Sequence, residues 1–185
     1  TGDDMIVNGT LNLNSILFGS GSLLVNKTMN WNGGTIQASS VISQNATLGI
    51  QNSIAKDIKA AVINNGKIDW NDGDIIFTSA ALTNNNEFTI NANNKNIAFN
   101  NSSTSIVNNG KINKSISNGT TSIGVAFTNN GTFNINAGGI KNIGGNSFSN
   151  TNTLYIKSGC SLINEGNLNL NTGSILSGDG AIFHH

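Results

Sequence analysis

Apolar and polar residues alternate in short runs throughout the chain. The runs TLNL at 10–13, TFNI at 132–135 and NLNL at 167–170 place every second residue on one face. A period of two is typical of β-strands with one buried face, and the longer spacing of an amphipathic helix is missing. The pattern therefore predicts an all-β protein made of short strands.

A turn phrase precedes many of these runs and repeats along the chain. It reads VINNGKIDW from Val62 and FTNNGTFNI from Phe127, with looser copies elsewhere. The first apolar residue after each turn gives one column of equivalent positions: Leu11, Met29, Leu48, Ile68, Phe88, Ile112, Phe133, Leu154 and Leu168. These positions lie 18, 19, 20, 20, 24, 21, 21 and 14 residues apart. One dominant period near 20 indicates a solenoid, whereas a meander would pair strands about 8 to 12 residues apart.

We predict a right-handed parallel β-helix of about nine coils, each of roughly 20 residues. Residues 1–185 show no shift in composition, so the prediction is a single domain, excised from a larger protein. His184 and His185 end the chain abruptly and are interpreted as the remnant of a purification tag. Coils stacked at the spacing of paired strands would form a rod roughly 43 Å long.

The next inward position in each coil forms a second column that is apolar with one exception. It reads Leu13, Trp31, Ile50, Trp70, Ile90, Lys114, Ile135, Ile156 and Leu170. Because burying a lysine is costly, Lys114 predicts a local bulge or a misregistered coil rather than a buried side chain. Trp31 and Trp70 alternate inward and are expected to pack in the core rather than to stack on sugars.

Asparagine recurs at equivalent turn positions, which predicts a ladder of hydrogen-bonded side chains along the rod. Its expected members are Asn64, Asn84, Asn108, Asn129, Asn150 and Asn164.

Charge and composition exclude several classes of function. Nine lysines balance nine acids and the chain contains no arginine, so neither nucleic acid nor an anionic membrane is an expected partner. No apolar run is long enough to insert into a membrane. The single cysteine, Cys160, is expected to be a small buried residue. No cofactor or metal is expected.

The stretch VNNGKINKSISNGTTSIGVAFTNNGTFNINAGGI, with the NWNGG and DWNDG motifs upstream, resembles the repetitive β-helical segments of large secreted and surface proteins. These are mainly bacterial adhesins of the autotransporter passenger type. The resemblance implies an extracellular or cell-surface setting and a role in adhesion or spacing. It supplies no catalytic residues, because its motifs specify coil geometry.

A few residues stand out as candidates for ligand contact. Asp69, Asp72 and Asp74 flank Trp70 and are interpreted mainly as solvated turn acids, with a sugar or calcium site as the alternative. Tyr155 falls in an outward column that otherwise holds mostly asparagine, where it could contact a ligand.

Other activities of this fold fit the residues less well. Glycoside hydrolysis needs two carboxylates held close together, and acids are sparse here, so we expect no enzyme. Ice binding would use ranks of threonine. The column Thr10, Thr28 and Thr47 begins such a rank, but Lys67, Glu87 and Lys111 interrupt it.

The sequence therefore predicts a structural or adhesive extracellular β-helix, acting as a rod-like scaffold or cell-surface adhesin. A carbohydrate-binding module is the alternative, and an ice-binding protein or a polysaccharide-degrading enzyme is less expected. The expected partners are a glycan or a surface protein. The open ends of a parallel stack also predict end-to-end or dimeric self-association.

Overall fold

The computed structural model describes residues 2–100, 104–116 and 118–185; Thr1, residues 101–103 and Ser117 of the predicted domain lie outside the described residues. The described part forms 27 strands, numbered β1 to β27 in chain order, and no helix. Three strands make one coil, and nine coils stack so that each strand pairs in parallel with the strand three further along the chain. The predicted all-β parallel solenoid of about nine coils is confirmed.

Sheet 1 contains the first strand of each coil. Its strands are β1 (Met5–Val7), β4 (Leu23–Val25), β7 (Ser40–Ile42), β10 (Val62–Asn64), β13 (Ala81–Asn84), β16 (Ser105–Asn108), β19 (Ala126–Asn129), β22 (Ser147–Asn150) and β25 (Asn167–Leu170).

Sheet 2 contains the second strand of each coil. Its strands are β2 (Thr10–Leu13), β5 (Thr28–Trp31), β8 (Thr47–Ile50), β11 (Lys67–Trp70), β14 (Glu87–Ile90), β17 (Lys111–Lys114), β20 (Thr132–Ile135), β23 (Thr153–Ile156) and β26 (Ile175–Ser177).

Sheet 3 contains the third strand of each coil and closes the cross-section. Its strands are β3 (Ile16–Leu17), β6 (Gly34–Ile36), β9 (Lys56–Ile58), β12 (Ile75–Phe77), β15 (Asn96–Phe99), β18 (Thr120–Ile123), β21 (Gly139–Asn142), β24 (Ser161–Asn164) and β27 (Ala181–His184).

The predicted columns run along sheet 2 in the expected register for eight coils and fail in the ninth. Leu154 pairs with Leu176, so the last step is 22 residues and not 14. Leu168 and Leu170 instead belong to sheet 1, where they pair with Phe148 and Asn150. The error arose because the strands of sheet 1 and sheet 2 alternate in the same way.

The core is one continuous cluster of apolar side chains, enclosed by the three sheets. Trp31 and Trp70 have no exposed surface, as predicted, and their indole N–H groups donate to the carbonyls of Gly33 and Gly73 at 3.1 and 2.7 Å. Cys160 is buried, also as predicted. Large apolar side chains are also exposed on the first and last coils, each of which pairs with a neighbouring coil on one side.

The prediction of a bulge or misregistration at Lys114 is wrong. Lys114 pairs with Ile90 on one side and Ile135 on the other without interruption, and its side chain is fully buried. Backbone hydrogen bonds to both neighbouring strands fix the register whatever side chain is present, and the aliphatic stem of lysine packs in an apolar column. Burial lowers the pKa of Lys114, and the nearby Cys160 acts in the opposite direction.

Five of the six predicted asparagines form one continuous ladder inside sheet 1. Their side-chain amides connect in the order Asn64, Asn84, Asn108, Asn129 and Asn150, with N···O distances of 2.6, 2.7, 2.7 and 2.6 Å. All five side chains are fully buried. The ladder therefore replaces an apolar column by polar groups that satisfy each other.

Asn164 does not belong to that ladder, and its predicted place is wrong. It lies at the end of sheet 3, where it accepts a hydrogen bond from Asn142 at 2.7 Å and contacts His184 Nδ1 at 2.9 Å. The turn after Asn164 joins sheet 3 to sheet 1, whereas the similar turns after Asn64 and Asn129 join sheet 1 to sheet 2. The interpretation of His184 and His185 as a tag remnant stays a prediction.

Candidate functional site

The three candidate acids lie on the fourth coil but point to different surroundings. Asp69 faces outward from sheet 2 and forms an ion pair with Lys67 at 3.1 Å. Asp72 and Asp74 lie in the turn between sheet 2 and sheet 3. Within the described ranges, no group of three or more His, Cys, Asp or Glu side chains is arranged to hold a metal ion.

Asp72 is held by the turn itself and by a lysine of the next coil. Its Oδ1 accepts from the Gly73 backbone N–H at 2.7 Å and pairs with Lys95 Nζ at 3.0 Å. The hydrogen bond from Gly73, and then the Lys95 ammonium, lower the pKa of Asp72. The carboxylate is therefore charged at neutral pH and serves to join two coils.

Lys56 is a buried residue at the start of β9 in the preceding coil, next to the turn that holds Asp72, and the sequence analysis missed it. Its Nζ donates to the carbonyls of Asn52 at 2.5 Å and Asp72 at 3.2 Å, and the side chain is fully buried. Burial lowers the pKa of Lys56, partly opposed by Asp72. Gly73 has a φ of 78°, and a Cβ at this position would collide with Lys56 Nζ, so this turn requires glycine.

Tyr155 lies outward on sheet 2, in register with Asn134 and Ser177. It is separated from Asp69 by four coils, or about 19 Å at the spacing of paired strands. The structure therefore does not bring the four candidate residues together: three share one coil and Tyr155 stands apart from them.

An apolar groove lies on the outer face of sheet 3, and the sequence analysis missed it. Its volume is about 330 Å³. It is lined by Asp74, Ile76, Asn96, Ile97, Ala98, Phe99, Gly124, Ile143, Gly144 and Asn146.

The groove exists because two successive coils carry an alanine and a glycine at outward positions, where the coils on either side carry isoleucine. Ile76 pairs with Ala98, and Gly124 and Ile143 occupy the corresponding outward positions of the next two coils. A Cβ built on Gly124 would lie 3.8 Å from Ala98 Cα and 3.9 Å from Ile143 Cδ1. Ala98 and Gly124 thus form a floor between the taller walls of Ile76 and Ile143.

Phe99 is the aromatic residue among those that line the groove. It pairs with Phe77, which is fully buried, yet Phe99 itself is 47% exposed. Polar groups lie at the rim: Asp74 Oδ1 accepts from the Asn96 backbone N–H at 2.8 Å, and Asn146 Nδ2 donates to the Ile143 carbonyl at 3.0 Å. The groove therefore combines an apolar floor, one aromatic ring and a few fixed polar groups, as small-molecule sites do.

A second, larger concavity lies beside the turn from sheet 1 to sheet 2 and is lined mainly by amides and hydroxyls. Its volume is about 570 Å³ and its lining includes Asn65, Asn85 and Ser43. Asn85 Nδ2 already donates to Asn65 Oδ1 at 2.9 Å, which makes these amides part of an outer ladder. This surface offers little apolar area to a ligand.

The chain matches no protein-family model, no curated protein and no solved structure. None of the described residues forms a helix able to cross a membrane.

Proposed function

We propose that this chain is a rod-like scaffold segment of a larger extracellular protein, with an adhesive role at a cell surface. The observation that carries the proposal is the continuous bonding of each coil to the next. Three sheets join every pair of adjacent coils, and the buried asparagine ladder adds a fourth line of hydrogen bonds through coils four to eight.

The ladder suits a load-bearing role because each amide also binds the backbone. Asn64, Asn108 and Asn129 donate to the carbonyls of Glu87, Thr132 and Thr153, at 2.8, 3.1 and 2.9 Å. Each of these carbonyls belongs to the next coil, so one side chain ties two coils together twice. A stack of this kind resists bending and local opening along its axis.

The extracellular setting rests on the resemblance to repetitive segments of surface adhesins. Protease shaving of intact source cells tests it, with an antibody raised against this chain. We expect the antibody signal to disappear when an impermeant protease is added to unbroken cells. A signal that is lost only after lysis, while a cytosolic marker behaves in the same way, would contradict the proposal.

Self-association through the ends of the stack belongs to the same proposal. Large apolar side chains are exposed on the first coil at Met5, Ile6, Ile16 and Phe18, and on the last coil at Leu170, Ile175, Leu176 and Phe183. The end strands also present unpaired backbone groups. Either more coils of one polypeptide or a second copy can cover these ends. Sedimentation velocity over a concentration series distinguishes a monomer from an associating species.

A further inference from the structure

The groove on sheet 3 has the chemistry of a site for a sugar. We propose that it binds one or two neutral pyranose rings of a glycan. This inference deepens the adhesive role proposed above by naming a ligand class, and to that extent it rests on it.

The apolar part of the groove fits the face of a sugar ring. A pyranose presents C–H groups on one face, and these pack on an aromatic ring or on flat aliphatic surface. Phe99, which is 47% exposed, is the aromatic residue of the lining, and the methyl group of Ala98 and the bare backbone of Gly124 leave room for a sugar. The volume of about 330 Å³ lies at the small end of ligand pockets, which run from about 300 to 1,000 Å³, so the groove has room for one or two rings.

The polar rim fits sugar hydroxyls. Among the described residues, the hydrogen bonds to the Asp74 carboxylate go to Oδ1, so Oδ2 can accept from a hydroxyl. Asn96 and Asn146 add amide groups on the two sides of the groove. The lining residues include one acid and no lysine, which favours a neutral sugar over an anionic one.

Two other occupants fit less well. A peptide that binds as an added strand needs a free sheet edge, but the strands that carry the groove, β12 and β15, are paired on both sides. An acyl chain needs an enclosed apolar cavity, whereas this groove is open along the sheet and has polar groups at its rim. A saccharide uses both the floor and the rim.

The test is an NMR titration of the whole chain with glucose, galactose, mannose, N-acetylglucosamine and cellobiose. We expect at least one of these sugars to shift the backbone amides of Ala98, Phe99, Gly124 and Ile143 in a saturable way. Shifts confined to other surfaces, or no shifts with any of the five sugars, would overturn the proposal.

Variants separate the groove from the rest of the fold. Ala98→Ile fills the floor with a strand-compatible side chain, and we expect it to weaken sugar binding at least tenfold. Phe99→Ala removes an exposed ring and is expected to weaken binding to a similar extent. The matched control is Ala81→Ile, which enlarges a partly exposed, outward alanine on sheet 1, away from the groove.

Unchanged binding in both groove variants, with folding verified by circular dichroism, would refute the site. The two proposals can fail separately. If protease removes the chain from intact cells but the chain binds none of the sugars, the surface scaffold role is retained and the sugar site is refuted. If the chain binds a sugar but lies inside cells, the sugar site is retained and the surface role is refuted.

Discussion

Replacing Asn108, in the middle of the buried asparagine ladder, should lower the free energy of unfolding by an amount that follows from its contacts. Its Nδ2 donates to Asn129 Oδ1 at 2.7 Å and to the Thr132 carbonyl at 3.1 Å, and its Oδ1 accepts from Asn84 Nδ2 at 2.7 Å. In Asn108→Ala, Asn84 keeps longer contacts to two backbone carbonyls, at 3.2 and 3.3 Å. In the same variant, Asn129 Oδ1 loses its side-chain donor, which is Asn108 Nδ2 in the wild type.

The expected cost follows from these contacts. A buried acceptor without a partner costs about 1 to 3 kcal/mol, and the vacated volume adds to this, so we expect the free energy of unfolding to fall by about 2 to 4 kcal/mol. Urea unfolding, followed by the fluorescence of the buried Trp31 and Trp70, measures the change.

The neighbouring residue provides a matched control. Asn109 lies in the same turn and its Nδ2 donates to Asn85 Oδ1 at 3.0 Å, but this outer ladder is exposed to water. We expect Asn109→Ala to change the free energy of unfolding by no more than about 0.5 kcal/mol. Equal losses in the two variants would refute the reasoning that the buried ladder, and not the amide pairing as such, holds the coils together.

Two further predictions concern charged residues. Lys114→Ile continues the apolar column of Ile90 and Ile135 and should stabilise the fold by about 1 to 4 kcal/mol at pH 7. Burial lowers the folded-state pKa of Lys114 below its ordinary value of 10.5, so the wild type gains stability as the pH rises toward 10.5. The stability advantage of the variant should therefore shrink at high pH. Urea midpoints of the two proteins that differ equally at pH 7 and pH 10 would contradict this. Asp69→Asn removes a partly exposed ion pair with Lys67 and should change stability by less than about 1 kcal/mol, and a larger loss in the same assay would indicate a role that the geometry does not show.

Much of the solenoid could be predicted because its coils repeat chemically as well as geometrically. The turn sequence between sheet 1 and sheet 2 is similar in several coils, so Leu11 to Leu154 and Asn64 to Asn150 could be aligned from the sequence alone. The last coil could not be aligned in this way. The NEG turn at 164–166 resembles the NNG turns but lies at a different corner, and strands with a period of two look alike in all three sheets.

The groove could not be predicted for a related reason. It depends on which outward residues of sheet 3 become neighbours across four coils, and the turns leading into this sheet differ in length from coil to coil. Ala98 and Gly124 carry no signal of their own, since their effect lies in the space that they leave. Lys56 escaped notice because its carbonyl partners come from two separate turns.

Removing one coil tests most directly whether the scaffold is built from equivalent stacked coils. Deleting residues 109–129 joins Asn108 to Asn130 and restores an NNG turn, because Asn108 and Asn129 are equivalent positions in adjacent coils. The control deletion of residues 109–118 removes only about half a coil and breaks the register of all that follows.

Thermal unfolding followed by far-UV circular dichroism compares the two deletions. We expect the full-coil deletion to retain a β-rich spectrum and a cooperative transition, and the half-coil deletion to lose both. Loss of structure in both chains, or equal folding of both, would contradict a solenoid of equivalent coils.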